Sequence, residues 1–245
     1  MRADAFLAAA AELPRRDLRA IVPAGGIVVV APHPDDESLG CGALVAEASA
    51  RGIPARLVVV SDGVGSHPSS PSHPPGRLRA LREAETLAAA ACLGLPAAHV
   101  AFLRLPDRFV PAEGPRAAAA AEAIAAAARA CGAGALFVTW EHDPHGDHRA
   151  CAALARRARD LVGGVPLYAY PVWGWTLPPE TEVGPPPRGA RLAVAPHRDA
   201  KAAAIGAHRS QTTALIADDP QGFRLEPAMI ARFLRDDEIF LQVDP

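Results

Sequence analysis

Two short stretches far apart in the chain carry most of the side chains able to bind a cation or move a proton. They are Pro32-His33-Pro34-Asp35-Asp36-Glu37 and His142-Asp143-Pro144-His145-Gly146-Asp147-His148. Brought together, the imidazoles of His33 and His148 and the carboxylate of Asp36 make a two-histidine, one-carboxylate set. Such a set leaves coordination positions open for water and substrate, as catalytic rather than structural metal sites do. Asp35 cannot easily share the same ion with both His33 and Asp36, so its carboxylate is free to take a proton from a water whose pKa the ion lowers to about 7. A protonated His145 would stabilise an oxyanion formed on an amide carbonyl, with Asp147 orienting that ring or balancing its charge.

Competing readings of the same residues differ in what they explain. Asp35, Asp36 and Glu37 also suit the first turn of a helix, where carboxylates accept backbone N–H bonds and complement the dipole. Capping does not account for a second His/Asp cluster, and the two roles can coexist. Gly40-Cys41-Gly42 superficially resembles a dinucleotide-binding turn. Val45 stands where that turn needs a small residue, and three carboxylates precede the glycines where a pyrophosphate needs positive potential. No G-x-S-x-G elbow follows any predicted strand, which removes a serine-hydrolase reading. Ligand types alone leave a non-haem iron oxygenase open.

These residues need a scaffold that brings two remote turns together. Ile27-Val28-Val29-Val30-Ala31 reads as a strand followed by a turn and a helix from about Ser38 to Arg51. Strands at Leu57–Val60, Val100–Leu103 and Leu136–Trp140 are each followed by a helix, near 77–93, 116–131 and 147–162. Further strands are expected at Leu167–Tyr170, Arg191–Val194 and Glu238–Val243, with a helix near 197–208. Strands alternating with helices predict a Rossmann-like three-layer α/β/α fold with a mostly parallel sheet, order near 3-2-1-4-5, in one domain over residues 25–245. Residues 1–24 read as an N-terminal helical extension interrupted by Pro14. In that strand order the first and fourth strands are neighbours where the winding reverses, and ligands bind beyond their carboxyl ends. Both His/Asp clusters directly follow those two strands.

Composition narrows the partners. With 25 Lys plus Arg against 27 Asp plus Glu in 245 residues, no basic footprint points to nucleic acid or an anionic membrane, and a small-molecule substrate is expected. Cys41, Cys92, Cys131 and Cys151 form no CxxC pair and read as reduced thiols. The N-terminus has too short an apolar run for a signal peptide, and no stretch suffices for membrane insertion, so a cytoplasmic location is expected. A homo-oligomer is compatible with the sequence.

Ala31-Pro32-His33-Pro34-Asp35-Asp36-Glu37-Ser38-Leu39-Gly40-Cys41-Gly42 resembles the signature of the PIG-L/LmbE-like N-acetylglucosaminyl deacetylase family, and His145-Gly146-Asp147-His148 is similar to its second motif, H-P-D-H. Arg82 with Glu85, Leu105-Pro106-Asp107 and Ser210-Gln211 match in the correct order, so the likeness spans most of residues 27–211. It implies a zinc-dependent N-deacetylase, with iron(II) as the alternative ion, acting on an amino-sugar substrate. His33, Asp36 and His148 would bind the metal and Asp35 would be the base. His145 would act on the oxyanion side, and Arg82 and Asp107 would contact sugar hydroxyls. Gly146 departs from the pattern by replacing a proline, which loosens the local backbone.

Several residues carry two readings. Arg82 and Glu85 are also spaced as a surface ion pair, Asp107 suits a turn, and Asp62-Gly63 is above all a turn signal. Trp173 and Trp175 could support a sugar ring or pack the Pro-rich loop that follows. His142 and Asp143 could line the pocket without binding metal. His67 and His73 lie in a Pro/Ser loop suited to a lid, and His99, His197 and His208 lack a partner motif; all five read as uninvolved or structural. Specificity is expected in the loops at 62–76, 105–115 and 173–188. An N-acylated thiol-sugar adduct or antibiotic precursor is an alternative substrate, and a non-catalytic sugar-binding relative is the alternative class.

Overall fold

The computed structural model describes residues 1–244. Helices α1 (Ala3–Ala11) and α2 (Leu18–Ile21) precede β1 (Gly26–Ala31), and α3 (Asp36–Ala50) leads to β2 (Ala55–Ser61). Next come α4 (Pro75–Cys92), β3 (Val100–Leu105), α5 (Gly114–Cys131), β4 (Ala133–Thr139), α6 (Gly146–Leu161) and β5 (Leu167–Tyr170). The chain closes with β6 (Gly189–Ala193), α7 (Arg198–Ala207), α8 (Arg209–Thr212), α9 (Pro227–Phe233) and β7 (Asp237–Val243).

The seven strands form one sheet of order β3-β2-β1-β4-β5-β7-β6. The first five run parallel, and β7 pairs antiparallel with both β5 and β6. The expected order is therefore present, extended at one edge by an antiparallel pair. The Val-rich runs are continuous because both faces of the sheet are buried. Along β1, Ile27, Val29 and Ala31 pack into one core with residues of α3, while Val28 and Val30 pack into another with residues of α5 and α6. Leu57 and Val59 against Val58 and Val60, and Phe137 against Leu136 and Val138, repeat that division on β2 and β4.

The N-terminal helices pack against the rest of the chain, α1 in a third cluster with Trp140 and α2 in the core on the Ile27 face of β1. Phe6 stacks on Trp140 at 5.0 Å between ring centroids, and Leu18, Ile21 and Val22 are buried with the β1 face. Gly40 and Gly42 have a packing reason. A Cβ at Gly40 would lie 2.1 Å from the Tyr170 ring, and one at Gly42 would lie 2.8 Å from the Lys201 stem. Tyr170 thereby reaches across to donate its hydroxyl to Val30 O at 2.9 Å. Lys201 Nζ donates to Leu39 O (2.8 Å) and pairs with Glu238 (2.6 Å). The same Glu238 carboxylate accepts the N–H groups of Ala43 and Leu44, so a buried ion pair inserts into the backbone bonding of the helix that carries Asp36.

Candidate active site

The turns after β1 and β4 meet at the switch point, and His33 and His148 come to lie 5.4 Å apart between ring centroids. Asp36 joins them. Its Oδ2 is 3.2 Å from His33 Nδ1 and 3.3 Å from His148 Nε2, and it accepts the His33 backbone N–H at 2.9 Å. Burial opposes charge on Asp36, but the imidazoles of His148 and His33 outweigh it and hold its carboxyl well below the usual range. The effect is mutual. Burial works against a charged His148, yet Asp36 and Asp143 raise its pKa to about 9.

Whether a divalent ion fits can be judged from the donor atoms. His148 Nε2 is buried and has no hydrogen-bond partner, its approach to Asp36 being misaligned for one. Asp36 Oδ2 lies beside one nitrogen of each imidazole, one of them the orphaned His148 Nε2; these donor types suit zinc or iron(II), and protons held on the imidazoles are those such an ion displaces. Ligand atoms of His33, His145 and His148 lie within 4.8 Å of one another, as do those of His33, Asp107 and Asp147, so His145 is a further candidate ligand beside His33 and His148.

Carboxylates fix both imidazoles from behind. His148 Nδ1 lies 2.9 Å from Asp143 Oδ2, which also accepts the N–H groups of Val172 and Trp173, while Asp143 Oδ1 accepts that of Gly174. Asp143 is completely buried and lines no part of the cavity, contrary to one reading of its neighbourhood. On the other side, His33 Nε2 lies 3.0 Å from Asp147 Oδ2 and 3.2 Å from Asp107 Oδ1. Asp147 was expected to serve His145. Its carboxylate instead faces His33 and accepts the N–H groups of Arg108 and Val110, because it sits in the first turn of α6 facing the β3 loop. Only its backbone reaches His145, donating to Nδ1 at 3.2 Å, so His145 caps its own helix. Burial, then the His33 and His148 imidazoles, lower the His145 pKa to about 4, and with Nδ1 taken by the Asp147 N–H the neutral ring carries its proton on Nε2.

Asp35 stands beside this group. It makes no capping bond, although it occupies the N-cap of α3, and Arg82 Nη2 lies 3.2 Å from its Oδ2. Burial pushes its carboxyl up to about 7, against the pull of Arg82 and with help from Asp36. Arg82 is itself buried and donates to Gly63 O and Pro34 O at 2.8 and 2.5 Å. Its spacing from Glu85 is not an ion pair, since Glu85 accepts both the N–H and the hydroxyl of Ser210 at 2.7 and 2.6 Å.

A cavity of about 350 Å³ opens onto these groups. Asp35, Arg82, Asp107 and His145 line it, and so do Trp173 and Phe223, whose rings meet edge-on at 5.7 Å. Trp175 is absent from the lining; its indole N–H donates to Pro171 O and Arg232 lies over its ring, so it packs the loop. The Pro/Ser loop carrying His67 is tethered, with Ser70 and Ser72 bonded to Asp218 and Ser69 to Asp219. Ser66 and Arg108, in the 62–76 and 105–115 segments expected to carry specificity, join the lining, as do Gln211 of α8 and Phe223 beyond it. His208 is structural, being fully buried with Nε2 2.8 Å from Glu37. Those two residues are 171 positions apart, so no local signal could pair them.

Fold and site define a doubly wound α/β domain with a buried His/Asp centre, able to hold a divalent ion, at the switch point of its sheet. The chain belongs to the PIG-L family, described as GlcNAc-PI de-N-acetylase, whose model matches residues 28–159. No curated protein sequence matches it. Among solved structures it is similar to a conserved protein of Thermus thermophilus (25% identity, TM-score 0.64, covering 91% of this chain and 95% of that one). It is also similar to the N,N'-diacetylchitobiose deacetylase of Pyrococcus horikoshii (20%, TM-score 0.66, 93% and 87%). The 4-carboxy-2-hydroxymuconate hydratase of Pseudomonas putida shares the fold as closely (18%, TM-score 0.66, 91% and 97%). No described helix is long and apolar enough to cross a membrane.

Proposed function

We propose that this chain is a metal-dependent N-deacetylase that hydrolyses the N-acetyl amide of a glucosamine-like sugar or glycoside. One observation carries the reading. A buried His33–Asp36–His148 donor set stands beside a separate carboxyl, Asp35, whose pKa lies near neutrality at the edge of an open cavity. The PIG-L match and the diacetylchitobiose deacetylase among the fold relatives support the amide substrate.

His33, Asp36 and His148 would hold the ion, zinc in the first instance with iron(II) as the alternative. When bound it supplies Lewis acidity, polarising the acyl carbonyl and acidifying water. Asp35 accepts a proton as the water oxygen bonds to the carbonyl carbon, which its pKa near neutrality suits. His145, neutral with its N–H on Nε2, donates to the oxygen that gains charge. As the C–N bond breaks, Asp35 returns the proton to the departing nitrogen, giving acetate and a free amine. Trp173 and Phe223 offer an apolar wall for a sugar ring.

The test is a metal-reconstituted screen over N-acetylhexosamine glycosides and other N-acyl conjugates, scored for both acetate and amine. Asp35→Asn is expected to abolish acetate release with metal content near that of the wild type. Water addition to an unsaturated acid without amine formation would instead favour a hydratase, and an inert wild-type protein at saturating metal would favour a binding role.

A further inference from the structure

Asp35 has the most strained backbone in the site. Its φ of 134° lies where side chains are rarely tolerated, and the other positive-φ non-glycine residues described, Arg104 and Arg108, sit at the milder 56° and 69°. A conformation of this kind is costly and persists only when its surroundings impose it. Two contacts flank the strained peptide. Arg82 holds Pro34 O from one side. From the other, Glu37 Oε2 accepts the Asp35 N–H at 3.0 Å.

Glu37 is the third acidic residue of the first motif, yet it is buried and lines no part of the cavity. Its second oxygen, Oε1, accepts from Ser38 Oγ at 2.7 Å and lies 2.8 Å from His208 Nε2. His208 arrives from the junction of α7 and α8, on the opposite end of the chain, and is fully buried. Its other ring nitrogen, Nδ1, is buried without a partner. An orphaned buried polar atom is a penalty that a leucine or phenylalanine filling the same space would not incur. The imidazole is therefore accounted for by what its Nε2–H does to Glu37, not by the volume it fills.

We propose that His208 is a positioning residue for Asp35. Through Glu37 it holds the Asp35 amide, and with it the left-handed turn that leaves the Asp35 carboxyl at the cavity instead of folded back as a helix cap. The chain of contacts runs His208 Nε2, Glu37 Oε1, Glu37 Oε2, Asp35 N–H, and it ties the C-terminal helices to the proposed base. The inference rests on the reading of Asp35 as that base.

The test compares His208→Leu, which removes the donor, with His208→Gln, which keeps an N–H donor. Acetate release, metal content and crystal structure are measured for each. In His208→Leu, kcat is expected to fall about 10- to 100-fold, with KM and metal content within about twofold of wild type, the range seen when a group supporting a site residue is lost. His208→Gln is expected to recover most of that loss, and Asp35 is expected to leave the positive-φ region in the leucine variant alone. Unchanged kcat in His208→Leu, equal impairment of both variants, or an unmoved Asp35 in the leucine variant would overturn the proposal. Should His208→Leu fail to fold, Glu37→Gln replaces it; lowered kcat at normal metal content supports the proposal, and unchanged kcat overturns it. If the wild type itself releases no acetate, the functional reading fails, while the Asp35 backbone in the variant structures still decides the positioning.

Discussion

Replacing Asp143 by alanine probes the support of the site without depending on turnover. The Asp143 carboxylate is completely buried and engages His148 Nδ1 at 2.9 Å and three backbone N–H groups at 3.0, 3.0 and 2.6 Å. Each buried donor left unpaired costs about 1–3 kcal/mol, so three amides alone set a ceiling of about 9 kcal/mol. The 171–174 segment can relax and admit water, which brings the expected loss to about 3–5 kcal/mol, typical of breaking a buried charged network. For a chain of this size that is a Tm drop of roughly 10 °C. Guanidinium unfolding in excess chelator measures it without any contribution from metal. The metal-reconstituted variant should in addition bind zinc about 10- to 100-fold more weakly, because nothing then fixes the His148 ring. Asp143→Asn keeps the volume and one acceptor but turns an NH2 toward other donors, so it should fall between alanine and wild type. A loss below about 1 kcal/mol in Asp143→Ala would refute the reasoning, since the four bonds would then not be holding the loop or the ring.

Other expectations follow from packing and burial. Gly40→Ala would place a Cβ 2.1 Å from a Tyr170 ring that its hydroxyl bond holds in place, so a loss of about 1–3 kcal/mol is expected by thermal unfolding; Gly146→Ala, with nothing within 4 Å, should change stability by less than about 1 kcal/mol. Lys201→Met leaves Glu238 buried with two backbone donors and no cation. Denaturant titration should show a loss of about 3–5 kcal/mol, partly recovered in Lys201→Met/Glu238→Gln. Burial pushes the Cys41 and Cys151 thiols far up, whereas Cys92 is exposed. A chromogenic disulfide reagent should modify Cys92 quickly in the native protein and reach Cys41 and Cys151 only on unfolding.

Much of this architecture was legible in the chain itself. Ile27–Ala31, Leu57–Val60 and Leu136–Val138 are continuous apolar runs because each strand is covered on both faces, and the helices between them impose parallel crossovers. That topology places the turns after β1 and β4 side by side, so the convergence of His33, Asp36 and His148 needs only the strand order and the residue types. The strand at Glu238–Val243 was legible too, but its antiparallel place between β5 and β6, and the helix α9, were not, since edge additions follow no crossover rule.

What the tertiary structure alone decided are the partners of each side chain. Asp147 turns to His33 and not to His145, Glu85 to Ser210 and not to Arg82, and Trp175 into the loop and not into the cavity. His208 meets Glu37 from the far end of the chain, and the packing of α8 and the surrounding loops brings Arg108, Gln211 and Phe223 to the lining. The division has a physical cause. Strand order and helix phase follow from hydrophobic periodicity, which is written locally, whereas a buried polar group takes whichever donor or acceptor the packed loops bring within about 3 Å, and that depends on every rotamer and turn around it.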